Sequence, residues 1–237
     1  MRYVVVPGLL GLTFAALALH PAEDAVGLGR GVTAFEALSS LICLSLAAVY
    51  GLGQAGYPVE RAFRGRGPAR AVALPYQAAI GLIQGVSRRL GGEAPMDPVA
   101  PGLYIGRLPD RSEHPRLAAA GIGAVLNLCV EFPGLHGIPD LRGIETGRVP
   151  ILDGLPPTPA QFRAAIEWVA ARREEGKVVL IHCAQGHGRS ATVAAAALCR
   201  LGLATGPDAA LALIRAARPR ARPSRGQLAA LVRFLAA

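Results

Sequence analysis

The run Cys183-Ala184-Gln185-Gly186-His187-Gly188-Arg189-Ser190 puts a thiol, five residues, a guanidinium and a hydroxyl in one short stretch. Together those groups can hold and cleave a phosphate ester. A tight loop aims successive backbone N–H groups inward as an anion nest. A helix opening at the end of the loop adds unpaired N–H groups and its dipole. Gly186 and Gly188 permit loop conformations that a Cβ would hinder. Arg189 can grip two phosphate oxygens at once. Phosphate binding is therefore assigned to Ala184, Gln185, Gly186, His187, Gly188 and Arg189. The same field favours the thiolate of Cys183, which makes it a nucleophile at neutral pH. Ser190 can donate a hydrogen bond to the sulfur and ease its departure in a second step. His182 precedes the nucleophile and, by strand alternation, points away from the phosphate. It takes an orienting role through its ring N–H rather than a proton-transfer role.

The elements needed to position these groups are legible on either side. Residues 177–182 (KVVLIH) form a continuous apolar run, the pattern of a buried strand, and 190–201 read as an apolar helix. A loop between a strand's end and a helix's start is where phosphate sites form. Upstream, 124–130 (AVLNLCV) reads as a second buried strand, 103–105 and 149–152 as shorter ones, and 116–120 as a helical turn stopped by Gly121. Thr158 and Pro159 open a helix that runs to about Glu175 and stops at Gly176. Helices follow at about 207–217 and 226–237. Strands alternating with helices indicate an α/β domain with a central, largely parallel sheet flanked by helices.

The segment HCAQGHGRS resembles the active-site signature of the cysteine-based protein tyrosine phosphatases, and residues 99–237 look like their compact dual-specificity branch. Gly102-Leu103-Tyr104-Ile105-Gly106 resembles that branch's opening strand and 121–128 (GIGAVLNL) its next one. Arg218-Pro219-Arg220-Ala221-Arg222-Pro223 followed by Gln227 resembles its closing helix pair. Low-molecular-weight phosphatases and arsenate reductases share the cradle, but their Cys loop lies near the start of the domain, whereas Cys183 comes late. The resemblance implies a phosphocysteine mechanism with no metal or other cofactor. It also implies a general acid on a loop before the cradle. Asp153, in VPILDG and 30 residues before Cys183, matches, with Asp140 as the fallback. Such an acid protonates the leaving oxygen and then, as carboxylate, activates water.

Asn127-Leu128-Cys129 is similar to a strand of the phosphoinositide branch whose Cys can bridge to the nucleophile under oxidation. A small apolar core residue is the competing reading of Cys129. His187 stands where that lipid branch has a basic residue, but Ala184 stands where it has another, so the loop departs from the fully basic lipid type.

The rest of the chain bears on location. The mean hydropathy of +0.38 is high for a soluble protein. Residues 3–22 and 37–59 carry no charge, each long enough for a bilayer-crossing helix. Net charge is +9, and the six Arg at 61, 64, 66, 70, 88 and 89 have no acid among them. Lys177 is the sole Lys, a bias that genome composition can also produce. The positive-inside rule then puts both ends of a two-span hairpin in the cytoplasm. A cleaved signal peptide is the rival, but its charged region would be Arg2 alone. Residues 71–87 are uncharged yet contain Pro75, Gln77 and Gln84, and read as an interfacial helix, or else as a linker helix.

The sequence thus predicts two transmembrane helices over 1–60, a basic juxtamembrane segment over 61–98, and a dual-specificity phosphatase-like domain over 99–237. The expected protein is a multi-pass phosphatase of a bacterial inner membrane with its catalytic domain cytoplasmic. Its partners are the membrane and a phosphorylated protein or, alternatively, a phospholipid of phosphatidylglycerophosphate or phosphoinositide type. An inactive phosphate-binding anchor would have lost the Cys, the Arg or the acid, and all three are present. Nucleic acid is not expected as a partner, since aromatics at 5% leave few stacking platforms.

Overall fold

The computed structural model describes residues 2–19, 29–55, 59–65, 67–89, 93–132 and 143–237. They fall into two compact units, Met1–Leu90 and Gly91–Ala237.

The first unit is helical: α1 (Arg2–Leu19), α2 (Gly29–Gln54), α3 (Glu60–Arg64) and α4 (Pro68–Arg89). Small residues let α1 and α2 pack closely and antiparallel. A Cβ on Gly8 would touch Ala47, and one on Gly11 would collide with Leu44 at 2.8 Å. Ser40 Oγ donates to the Gly11 carbonyl at 2.8 Å. Pro75 lies inside α4. Just after it, Ser45 Oγ of α2 enters the helical ladder. It accepts from Tyr76 N at 3.2 Å and donates to the Val72 carbonyl. The outer faces are apolar, with Leu9, Leu12 and Phe35 exposed.

Among the described residues one helix, Val32–Gln54, is long and apolar enough to cross a membrane. The two-span expectation is corrected to that extent. The described apolar stretch of α1 is Val6–Ala16, which at 1.5 Å per residue covers roughly half of a ~30 Å hydrocarbon core. The uncharged run 71–87 is helical, within α4.

The second unit is α/β. Its strands are β1 (Met96–Ala100), β2 (Leu103–Arg107), β3 (Ile122–Cys129), β4 (Glu145–Ile151) and β5 (Val178–Cys183). Its helices are α5 (His114–Ala119), α6 (Pro159–Glu174), α7 (Arg189–Arg200), α8 (Pro207–Ala217) and α9 (Arg225–Leu235). The sheet order is β1-β2-β5-β3-β4, with β1 antiparallel and the remaining pairs parallel. On one face Leu117 of α5 packs with Ile122, Val125 and Leu180. Helices α6 and α7 pack on strands of the sheet as well. Covered strands are apolar at almost every position, which accounts for the near-continuous runs in β3 and β5, broken by Asn127 and His182. Helix α7 buries Ala191, Ala194, Ala195, Ala196 and Ala197, so it can approach its neighbours closely.

Register aligns the functional ends. Arg107 of β2 pairs with Cys183, and Asn127 of β3 pairs with His182. The carboxyl ends of β2, β5 and β3 therefore share one edge, where open parallel sheets bind ligands.

Candidate active site

The loop between β5 and α7 curls around the Cys183 sulfur. Cys183 is buried, and its Sγ accepts the Gly186 N–H at 3.2 Å. Ser190 Oγ lies 3.3 Å from the same sulfur. Gly186 has φ +80°, and a Cβ there would sit 2.7 Å from the Gly106 carbonyl. Gly188 is the N-cap of α7, and its carbonyl accepts from Thr192 N and Oγ1 at 2.9 and 2.8 Å. Buried Cys183 thus lies at the N-terminal end of a twelve-residue helix.

Arg189, the first residue of α7, is fully buried. Its Nη1 and Nη2 donate to both oxygens of buried Glu131, at 2.9 and 2.6 Å, and Nη1 also reaches the Ile151 carbonyl at 2.9 Å. Burial alone would lower the pKa of this guanidinium. The Glu131 carboxylate outweighs that and, with Asp153, raises it well above its ordinary value. Arg189 Nε is buried and has no acceptor among the described residues.

Asp153 Oδ1 lies 3.1 Å from Arg189 Nη2, and its side chain is 55% exposed. Its loop hangs between two capped helix starts. Gln161, half of the Thr158 capping box of α6, also donates to the Pro150 carbonyl at 2.7 Å. Gln227 and Ser224, the capping box of α9, reach the Leu155 and Gly154 carbonyls at 3.1 and 3.4 Å. The Asp153 loop and the cradle are thus brought together by Arg189 and by the two caps. The fallback acid, Asp140, lies outside the described residues.

His182 is fully buried, with Nδ1 3.3 Å from the Cys183 carbonyl. Burial, with the Arg189 charge adding to it, pushes its pKa down to about 4. The neutral ring carries its proton on Nδ1, since a carbonyl can only accept. Cys129 is fully buried too. Burial first and the Glu131 carboxylate next push its thiol well above the ordinary range, so it remains protonated. His187 pairs through Nε2 with Glu93 Oε2.

Sequence reasoning missed Glu131, Glu93 and the inward reach of Arg218, which donates to the Gln185 and Gly186 carbonyls. One signal for Glu131 was available. Asn127 closes the exit of β3 by accepting from Cys129 N and donating to the Phe132 carbonyl, both at 2.8 Å. A carboxylate four residues after such an Asn, at the sheet's carboxyl edge, is in position to neutralise a buried cradle arginine.

Comparison with known proteins agrees with this geometry. The family described as Swiss Army Knife protein, DSP-PTPase phosphatase domain (PTP-SAK) matches residues 99–230. Human dual specificity phosphatase 28 is 32% identical over 153 residues, spanning 58% of this chain and 78% of that protein. Among solved structures, a mouse dual specificity phosphatase complexed with zinc tungstate superimposes with TM-score 0.54 at 29% identity, covering 61% of this chain and 88% of that one. Tk-PTP in its active form gives 0.53 at 30% identity, covering 59% and 95%. PTPMT1 in complex with PI(5)P shares the fold, with TM-score 0.52 at 22% identity over 60% and 94%.

Proposed function

Because this chain belongs to the PTP-SAK family of dual-specificity-type domains, and so to the cysteine-dependent phosphatases that hydrolyse phosphomonoesters, we propose that it is a membrane-anchored phosphatase of phosphotyrosine and phosphoserine/threonine proteins. The observation that carries the mechanism is the arrangement around Cys183: Gly186 N–H and Ser190 Oγ on its sulfur, with Arg189 and Asp153 paired beside it.

In this reading the phosphate dianion sits on the cradle N–H groups from Ala184 to Arg189. Arg189 Nε, a buried donor with no acceptor among the described residues, takes one oxygen. The Cys183 sulfur attacks phosphorus as the bond to the leaving oxygen breaks, and Asp153 gives that oxygen its proton. The Asp153 carboxylate then takes a proton from water as the water attacks the phosphocysteine. Phosphate leaves, and the Cys183 thiolate is restored with help from the Ser190 hydroxyl. Neutral His182 holds the Cys183 backbone and moves no proton. Cys129, fully buried and held protonated, serves as a small apolar core residue of β3.

The anchor is α2, against which α1 packs antiparallel, with the catalytic unit on the cytoplasmic side, since Arg61 and Arg70 follow the apolar helix. The apolar Val32–Gln54 helix also favours a second reading, a phospholipid phosphate as substrate, since anchoring raises the enzyme's local concentration on headgroups.

The test uses the full chain in detergent, wild type and Cys183→Ser, on a phosphotyrosine peptide and on phosphatidylglycerophosphate in mixed micelles. Turnover of the peptide over the lipid, abolished by the substitution, supports the protein-phosphatase reading. Turnover of the lipid alone supports the second. Turnover that survives the substitution overturns both.

A further inference from the structure

Arg218 has the most heavily committed side chain on the outer wall of the cradle. It is the C-cap residue of α8, yet it is 1% exposed. A guanidinium has five N–H donors in a fixed fork, and five acceptors surround this one. Nε donates to the Gly186 carbonyl at 3.0 Å and Nη2 to the Gln185 carbonyl at 3.0 Å. Nη2 also meets Glu93 Oε2 at 2.9 Å. Nη1 donates to Asp97 Oδ2 at 2.6 Å and to the Ala94 carbonyl at 3.1 Å.

The two cradle carbonyls are the informative partners. In a trans peptide unit the C=O and N–H point in opposite directions. The unit whose carbonyl Arg218 Nη2 holds is the one whose N–H, that of Gly186, reaches the Cys183 sulfur. The next unit has its carbonyl on Arg218 Nε, so the His187 N–H points to the opposite side. Gly186, at φ +80°, is the hinge that allows two consecutive carbonyls to face one guanidinium. Glu93 and Asp97 neutralise the Arg218 charge, and Glu93 also holds His187 of the same loop. With its charge offset in this way, Arg218 acts chiefly by geometry.

We propose that Arg218 is a positioning residue for the phosphatase reaction: it grips the cradle from behind, so that the Gly186 and His187 N–H groups face the Cys183 sulfur and the phosphate oxygens. The inference rests on the reading of Cys183 as nucleophile. Removing the grip lets those two peptide units rotate, which weakens both the Gly186 hydrogen bond to the Cys183 sulfur and oxyanion binding without removing any group that touches substrate.

The experiment uses the full chain in detergent with three readouts. The thermal midpoint is followed by fluorescence of Trp168, the sole Trp, which lies in the second unit. Cys183 alkylation by iodoacetamide is followed by peptide mass spectrometry at one mildly acidic pH. Competitive inhibition by tungstate reports oxyanion affinity. Arg218→Lys keeps the charge but loses the fork. It is expected to slow Cys183 alkylation and weaken tungstate each by about tenfold, equivalent to ~1.4 kcal/mol, in protein whose Trp168 transition remains cooperative. Asp97→Asn, which removes only the far support of the fork, is expected to shift both readouts the same way by about threefold, or ~0.65 kcal/mol. If Arg218→Lys does not fold, Asp97→Asn decides alone. A lowered midpoint with wild-type alkylation and tungstate affinity means that Arg218 is merely structural, and overturns the inference. Wild-type protein that keeps full phosphatase activity after Cys183 is alkylated overturns the nucleophile reading instead.

Discussion

Replacing Glu131 by Gln removes the counter-charge of a fully buried guanidinium. Glu131 is 1% exposed and Arg189 is 0% exposed, and both carboxylate oxygens are engaged, at 2.6 and 2.9 Å. The remaining carboxylate beside Arg189 in the ion-pair geometry is Asp153, at 3.1 Å and more than half exposed, so much of its field is spent in water. Removing one partner of a buried pair costs ~3–5 kcal/mol. Gln keeps one acceptor oxygen, which argues for the lower end, about 3 kcal/mol. For a unit of this size each kcal/mol moves the midpoint by roughly 2–4 °C, so Trp168 fluorescence should report unfolding about 6–12 °C lower. An Arg189 no longer held in register should also lose a charge-assisted contact to phosphate, lowering kcat/KM by roughly 10- to 100-fold. Replacing both partners, Glu131→Leu with Arg189→Met, should recover most of the midpoint while activity stays lost, since an apolar pair leaves no uncompensated charge. Glu131→Gln with a wild-type midpoint and wild-type turnover would refute the reasoning. So would a double variant as unstable as the single one.

Three further outcomes follow from the same geometry. Asp153→Asn should reduce turnover of a phosphotyrosine peptide by about 10²–10⁴ but reduce that of an ester with a strongly acidic leaving group far less, because that oxygen leaves without a proton; equal losses on both would remove Asp153 from the role of acid. His182 has its pKa pushed down to about 4, below the ordinary ~6.5, so the unfolded chain binds the proton first. Its contribution is fully present above about pH 6.5 and is lost as pH falls toward 4, by up to ~3 kcal/mol. His182→Asn should flatten that part of the Trp168 midpoint-against-pH curve, and an unchanged slope would count against it. Gly186→Ala adds a Cβ 2.7 Å from the Gly106 carbonyl at φ +80°, so at least ~1–3 kcal/mol of strain enters the cradle. Tungstate inhibition should weaken sharply, and retained affinity would mean that the loop tolerates the methyl.

The cradle was legible because its chemistry is contiguous. Cys183 to Ser190 follow the end of β5 and open α7, so the N–H groups and the helix dipole are set by neighbours in the chain. The capping residues Thr158 and Pro159 announced α6 for the same reason. Strand β1 falls partly inside the expected juxtamembrane segment 61–98, where the sequence shows no strand pattern. It lies at an antiparallel edge and contains Pro98, where a missing N–H costs little and leaves no strand signature. In the N-terminal region the two uncharged runs look alike in sequence, yet the long apolar helix is Val32–Gln54 alone among the described residues. The supports of the site were not legible. Arg189 meets Glu131 across 58 positions and the Ile151 carbonyl across 38, and Arg218 meets Asp97 across 121. The chain has 16 Asp and Glu, and nothing local distinguishes the one that will neutralise a buried arginine from those that will face water. That choice belongs to the register of β2, β3 and β5, which fixes the strand ends that meet, because a buried charge takes whichever carboxylate the packing brings within hydrogen-bond reach.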